Sequence, residues 1–271
     1  MLMVKLFEQD IHTNERQSSK GNQLKWKNAG TWYKADYAGY EGLAEYMVSH
    51  LLERSTLQKE EYVVYEPEQI KYKDSIYNGV KSADFVQDGW QIITLERLFK
   101  SFSGESLSRV IYRIGEPEER LRFLVNQVER ITGLKEFGIY MNKLLTIDAF
   151  FLNEDRHMHN IAVLMNGEGK FQFCPIFDQG AGLLSDTSMD YPLQGDTVSY
   201  MRSVQAKSFC KDFDAQLDAS EKLYGRHLQF SFSKDTVARL LERADIYPEE
   251  IRRRVEEVIL LQRKKYAYLF R

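Results

Sequence analysis

From Leu134 to Leu152 the chain is apolar on nearly every side of a helical projection, through Leu134, Phe137, Tyr140, Met141, Leu144, Leu145 and Ile147. Such a helix is stable only when other elements cover it all round, so it is expected at the centre of a protein core. Asp148 interrupts the run, Arg263 interrupts the other long apolar stretch, and no run is long enough to cross a bilayer. The 271 residues, 43% of them apolar, can supply the cover, as one large domain or two small lobes.

The elements around that helix change character along the chain. Up to residue 86, strand-like runs dominate. Gln23 to Lys27 and Thr31 to Asp36 flank the turn Asn28-Ala29-Gly30, and Glu61 to Tyr65 and Val80 to Val86 are further strand candidates. One helix, about Tyr40 to Arg54, lies among them, with Ala44, Val48, Leu51 and Leu52 at helical spacing. From residue 87 helices prevail. Thr94-Leu95-Glu96-Arg97 opens one, Glu116 to Ile131 forms another, and Ser233 to Ala244 and the segment from Pro248 close the chain. Ile161 to Met165 and Phe171 to Ile176 read as a hairpin around Asn166-Gly167-Glu168-Gly169, and residues 178–208 show no periodicity. The expectation is an α+β fold, with a β-rich lobe over 1–86 and a helical lobe over 87–271.

The densest polar cluster, Asn153-Glu154-Asp155-Arg156-His157-Met158-His159-Asn160, falls between the buried helix and the hairpin; Phe177-Asp178-Gln179-Gly180 follows the hairpin. Asp155, Asn160 and Asp178 are oxygen-bearing side chains delivered by neighbouring segments. Phosphoryl transfer from ATP needs such a set: a carboxylate to orient a hydroxyl and take its proton, and oxygen donors for magnesium. In the β-rich part, Lys34 lies on a strand where a cation could reach phosphates. Glu41 and Glu45, four residues apart on the next helix, are both candidates to hold it. The polar turn Ser18-Ser19-Lys20-Gly21-Asn22-Gln23-Leu24-Lys25 offers backbone N–H groups to phosphates.

On these residues the chain resembles the HipA-type serine/threonine kinases in their short form, over about Ser18 to beyond Ser185. The resemblance implies a two-lobed, protein-kinase-like fold and use of ATP and Mg2+. By it, Asp155 is the catalytic base, Asn160 and Asp178 bind magnesium, and Lys34 contacts the ATP phosphates. Gly21, Gln23 and Lys25 match a Gly-x-Gln-x-Lys phosphate loop, and Glu45 followed by Tyr46-Met47-Val48 matches the helix glutamate. Asp84, Phe85 and Val86 fall at the hinge that holds adenine. His157 is grouped with the nucleotide-binding positions and read as a brace for the catalytic loop. Ser18, with Ser19 beside it, falls where the family carries an autophosphorylated serine. Some members are toxins held by an antitoxin, with aminoacyl-tRNA synthetases among their targets, so a protein substrate of that class and an antitoxin partner are implied. Gln179 after Asp178 and the single Gly21 in the loop depart from the family pattern.

Other readings compete. Asp-Arg-His with a later Asn also resembles the catalytic loop of phosphoinositide kinases, which keeps a lipid or small-molecule kinase open, and an ATP-binding pseudokinase would act as an interaction module. His157 and His159 suggest a metal hydrolase, although His12, His50 and His227 stand in no ligand motif. The net charge of −3 disfavours direct binding to nucleic acid or a membrane surface, and Arg252-Arg253-Arg254 is flanked by Glu249, Glu250, Glu256 and Glu257. Two cysteines, Cys174 and Cys210, exclude a disulfide scaffold and fit a reducing compartment; with no apolar leader at the start, the expected location is cytoplasmic.

Overall fold

The computed structural model describes residues 3–11 and 23–271. The strands in chain order are β1 (Val4–Leu6), β2 (Lys25–Asn28), β3 (Thr31–Ala35), β4 (Glu66–Tyr72), β5 (Ser75–Ala83), β6 (Trp90–Thr94), β7 (Ala162–Asn166) and β8 (Phe171–Phe173). The helices are α1 (Glu41–Leu52), α2 (Leu95–Ser103), α3 (Leu107–Ile111), α4 (Pro117–Thr132), α5 (Phe137–Phe151), α6 (Thr197–Ser203), α7 (Phe213–Tyr224), α8 (Lys234–Arg243) and α9 (Glu249–Lys265). They form two compact units. The first comprises the described part of Met1–Asp84 with Phe177–Val204 and Phe230–Arg271; the second comprises Phe85–Ile176 and Gln205–Gln229. The first unit therefore includes 177–204 and 230–271, segments that the sequence reading grouped with the helical lobe.

In the first unit the five-stranded sheet has the order β1-β4-β5-β3-β2, antiparallel except for β1 beside β4. Ala29 and Gly30 join β2 to β3 at φ 46° and 77°, the left-handed pair that a tight hairpin with right-twisted strands requires. The resulting register sets Lys25 opposite Lys34 and Trp26 opposite Tyr33. Leu6, Trp26, Ala35, Ile70 and Tyr72 form the buried cluster on the sheet, with the Trp26 and Tyr72 rings 5.3 Å apart. Helix α1 packs on β3, β4 and β5 and buries Leu43, Ala44, Met47, Val48, Leu51 and Leu52. The C-terminal helices complete this unit because α8 packs on α1 and α9 on α8.

The second unit holds the antiparallel sheet β6-β7-β8 and helices α2–α5 and α7. Strand β6 runs directly into α2, where the Thr94 hydroxyl accepts from the Arg97 N–H and caps the helix. Helix α4 starts with Pro117 at its first turn and stops at Gly133 (φ 75°). As its pattern requires, α5 is buried along most of its length, with α4 and α7 against it. Gly138 permits the α7 contact, since a Cβ there would sit inside the Tyr224 ring. Among the described residues no helix is long and apolar enough to cross a membrane.

Two expectations about local structure are corrected. Glu61 to Tyr65 is not a strand: Lys59–Glu61 is a 3-10 turn, and the strand is β4, starting at Glu66. Pro67 is tolerated there because β1 reaches only Ile70 to Tyr72, so no ladder hydrogen bond is asked of it on that side. The stretch 178–208 is irregular only in part, since it contains α6, capped by Asp196 accepting from the Ser199 N–H at 2.7 Å.

Candidate functional site

In the first unit, strand alternation and the β2–β3 register put Lys25 and Lys34 side by side on one face of the sheet. Like charges directly opposite each other in a ladder repel, so the pair needs anions nearby. Two are present. The Lys34 ammonium donates to Glu45 Oε1 at 2.5 Å and to Asp178 Oδ1 at 2.8 Å. The Lys34 and Glu45 side chains are 13% and 2% exposed, so this is a buried charge cluster. The Tyr65 ring lies 5.0 Å from the ammonium, and its hydroxyl accepts from the Asp178 N–H at 3.4 Å. Burial opposes the charge on Lys34, but Asp178 and Glu45 outweigh it and hold the ammonium pKa well above the ordinary lysine value. Burial pushes the Glu45 carboxyl up; Lys34 and, more weakly, Lys25 pull against that push. Burial also raises the Tyr65 phenol. Glu45 Oε2 is buried without a hydrogen-bond partner among the described residues.

Glu41, the other candidate partner of Lys34, is used differently. Its carboxylate accepts from the backbone N–H groups of Tyr37, Ala38 and Gly39, which closes the loop entering α1. The segment after Asp178 is tied to the same loop. The Tyr40 N–H donates to Ser185 O at 3.1 Å, its hydroxyl to Leu183 O at 2.7 Å, and the Ser188 N–H to Ala38 O at 2.9 Å. Asp178, Leu183 and Leu184 have φ of 62°, 56° and 60°. Such conformations cost on the order of 1 kcal/mol or more and persist only where the surroundings enforce them.

In the second unit, α5 ends at Leu152 in the left-handed conformation (φ 56°), and the loop 153–160 begins there. Its anchor is Asp148, on the last turn of α5. Asp148 receives Arg156 Nε at 3.0 Å and Asn153 Nδ2 at 3.0 Å, and Arg156 Nη1 donates to Asn160 O at 2.9 Å. Burial raises the Asp148 carboxyl, and the Arg156 guanidinium opposes the rise. Helix α2 grips the other side of the loop: the Leu95 N–H donates to Ile161 O at 2.8 Å and the Glu96 N–H to Met158 O at 3.1 Å. On this frame Asn160 Nδ2 donates to Asp155 O at 2.8 Å and lies 3.3 Å from Asp155 Oδ2. With its nitrogen so used, the Asn160 amide oxygen is the atom left to act as a metal donor. His157 Nε2 is 3.9 Å from Asp155 Oδ2, and its ring meets His159 edge-on. Lys207 Nζ lies 3.5 Å from Asp155 Oδ1.

Of the residues singled out in the sequence, Lys34, Glu45 and Asp178 are in direct contact in the first unit, with Lys25 beside Lys34 in the ladder. Asp155, His157 and Asn160 share one loop in the second. Asp84 follows β5, pairs with Lys27 at 2.6 Å and is the last residue before the second unit, where Phe85 and Val86 begin. Gln23 precedes β2. Ser18, Ser19 and Gly21 lie outside the described residues. Among the described residues no cluster of three or more His, Cys, Asp and Glu side chains is arranged to hold a metal ion. Sequence reasoning missed Tyr65, Lys207 and the Asp148–Arg156 pair. The last had a legible signal, the single carboxylate of a mostly apolar helix, eight residues before an arginine.

No family model and no curated protein sequence matches the chain. Solved structures do. The Helicobacter pylori proinflammatory kinase CtkA superposes with a TM-score of 0.63 at 15% identity, covering 97% of this chain and 95% of that one. HipA from Shewanella oneidensis MR-1, determined as a toxin–antitoxin complex of HipA, HipB and operator DNA, superposes with a TM-score of 0.50 at 11% identity. That match covers 96% of this chain and 63% of HipA. The chain thus has the α+β fold of these kinases, the kinase-like fold that the sequence resemblance implies.

Proposed function

We propose that a chain with this kinase fold is an ATP- and magnesium-dependent protein serine/threonine kinase of the HipA-like type. The observation that carries the reading is the Lys34 ammonium, shared by Glu45 and Asp178. Holding a buried cation between two carboxylates is expensive if its only purpose is stability. It is useful if the cation must be fixed rigidly against an anionic ligand. Lys25, its cross-strand neighbour, sets a second cation directly beside it.

In this reading Lys34 and Lys25 bind the phosphates of ATP, and the loop carrying Gly21 and Gln23 covers them. Residues 84–86 contact adenine. Asp178 and the Asn160 amide oxygen are hard oxygen donors, the type that suits Mg2+. When bound, magnesium supplies charge neutralisation on the phosphate oxygens. Asp155 orients the acceptor hydroxyl and takes its proton. The bond from the acceptor oxygen to the γ-phosphorus forms as the bond between that phosphorus and the β,γ-bridging oxygen breaks, and ADP leaves. Asp148 and Arg156 keep the Asp155 loop from relaxing, and His157 braces it.

Autophosphorylation at Ser18 or Ser19, a cytoplasmic location, a protein substrate such as an aminoacyl-tRNA synthetase and an antitoxin partner belong to the same proposal. The partner is suggested by the HipB that accompanies HipA. Transfer from γ-labelled ATP to protein and to phosphoinositide vesicles, measured side by side, tests the acceptor class. Label on protein alone supports the reading; label on vesicles alone replaces it with a lipid kinase.

A further inference from the structure

Lys207 is the second cation beside a functional carboxylate, and the assigned chemistry does not use it. It sits between α6 and α7, 52 positions after Asp155 in the sequence. The loop that presents it is anchored. The Ala206 N–H donates to Lys211 O at 2.9 Å, the Ser208 hydroxyl to Gln216 Oε1 at 2.5 Å, and Arg120 Nη1 to Phe209 O at 2.9 Å. Ala206, Ser208 and Phe209 are buried, whereas the Lys207 side chain is 43% exposed. An anchored backbone thus presents a part-exposed cation to Asp155.

The cation divides the two oxygens of Asp155. Oδ2 faces Asn160 Nδ2 at 3.3 Å and His157 Nε2 at 3.9 Å, and Oδ1 faces Lys207 at 3.5 Å. That last separation exceeds the 2.7–2.9 Å or so of a tight charge-assisted hydrogen bond. An ion pair this exposed adds little to folding. The contact is therefore poorly explained by stability and well suited to steering one carboxylate.

We infer that Lys207 is a positioning residue for the transfer step: it sets the rotamer of Asp155 so that the base meets the acceptor hydroxyl, and it leaves ATP binding to the first unit. This rests on the kinase reading. The geometry implies that charge at position 207 is needed and exact side-chain shape is not.

The test uses the full chain with magnesium–ATP and casein as acceptor, in wild type, Asp155→Asn, Lys207→Met, Lys207→Arg and Lys207→Cys. The cysteine variant is measured before and after treatment with 2-bromoethylamine, which rebuilds an ammonium at that position; Cys174 and Cys210 are buried. In Lys207→Met, kcat is expected to fall about 10- to 100-fold while KM for ATP stays within about twofold, and the denaturation midpoint is unchanged. Lys207→Arg should keep most of kcat, and alkylation should restore most of what Lys207→Cys loses. An unchanged kcat in Lys207→Met, a loss confined to KM, or no rescue by either cationic side chain would overturn the role of Lys207 while the kinase reading stands. A wild type that transfers nothing to casein or to itself would overturn both.

Discussion

Replacing Lys34 by methionine keeps an unbranched stem one atom shorter and removes the cation between Glu45 and Asp178. At an effective dielectric near 20, contacts of 2.5 and 2.8 Å are each worth about 6–7 kcal/mol of attraction. Desolvation of the three groups cancels much of this. What remains when one member of a buried pair is deleted is typically about 3–5 kcal/mol of lost stability. The loss should depend on pH. Burial already raises the Glu45 carboxyl, and Lys34 is the main opposing influence. Without it, folded Glu45 keeps a proton that the unfolded chain gives up above the ordinary glutamate range. The folded state then binds more protons, so stability falls as pH rises. Urea denaturation at about pH 8 should show the full loss, and at about pH 5 a substantially smaller one. Adding Glu45→Gln to Lys34→Met should recover most of the loss at the higher pH. An equal loss at both pH values, with no recovery in the double variant, would refute the argument that this cluster is governed by buried charge.

Asp36 offers a second pH test: burial and then the neighbouring Glu41 raise its carboxyl to about 7. A carboxyl raised on folding makes stability fall between about pH 4 and 7, so Asp36→Asn should flatten that slope and stabilise the protein at about pH 8 by at most about 4 kcal/mol, seen in denaturation midpoints across pH. Arg156→Ala leaves Asp148 buried and should cost about 3–5 kcal/mol by the same method. Gly138→Ala should cost about 1–3 kcal/mol, despite the better helix propensity of alanine, because α5 would be pushed off Tyr224. Asp155→Asn should lower kcat by about 100-fold or more with ATP affinity, measured by calorimetry, nearly unchanged.

The parts of the fold legible in the sequence are those that local rules decide. The nearly all-round apolar pattern placed α5 in the core, the Asn28-Ala29-Gly30 turn gave the β2–β3 hairpin, and Thr94 and Pro248 marked helix starts where caps stand. The parts that escaped depend on contacts distant in sequence. Strand β6 is a strand because β7 pairs with it, and its short run carries no periodicity of its own. Grouping the chain's final helices with the helical lobe follows chain order, whereas α8 packs on α1. At the candidate site, polar density and spacing drew attention to Asp155, Asn160 and Asp178. Spacing on α1 left Glu41 and Glu45 equal; geometry separates them, because Glu41 is occupied by three backbone N–H groups. Tyr65 meets Lys34 in the first unit and Lys207 meets Asp155 in the second, each from a loop whose sequence carries no motif.

The central claim is that Lys34, Asp178, Asp155 and Asn160 belong to one phosphotransfer machine. The most direct measurement is the intact mass of the protein after incubation with magnesium–ATP, run beside Asp155→Asn and Asp178→Asn. The account predicts a phosphate gained by wild type and absent from both variants, with fragmentation placing it at Ser18 or Ser19. A wild type that gains no phosphate, or variants that gain it as readily as wild type, would contradict the account.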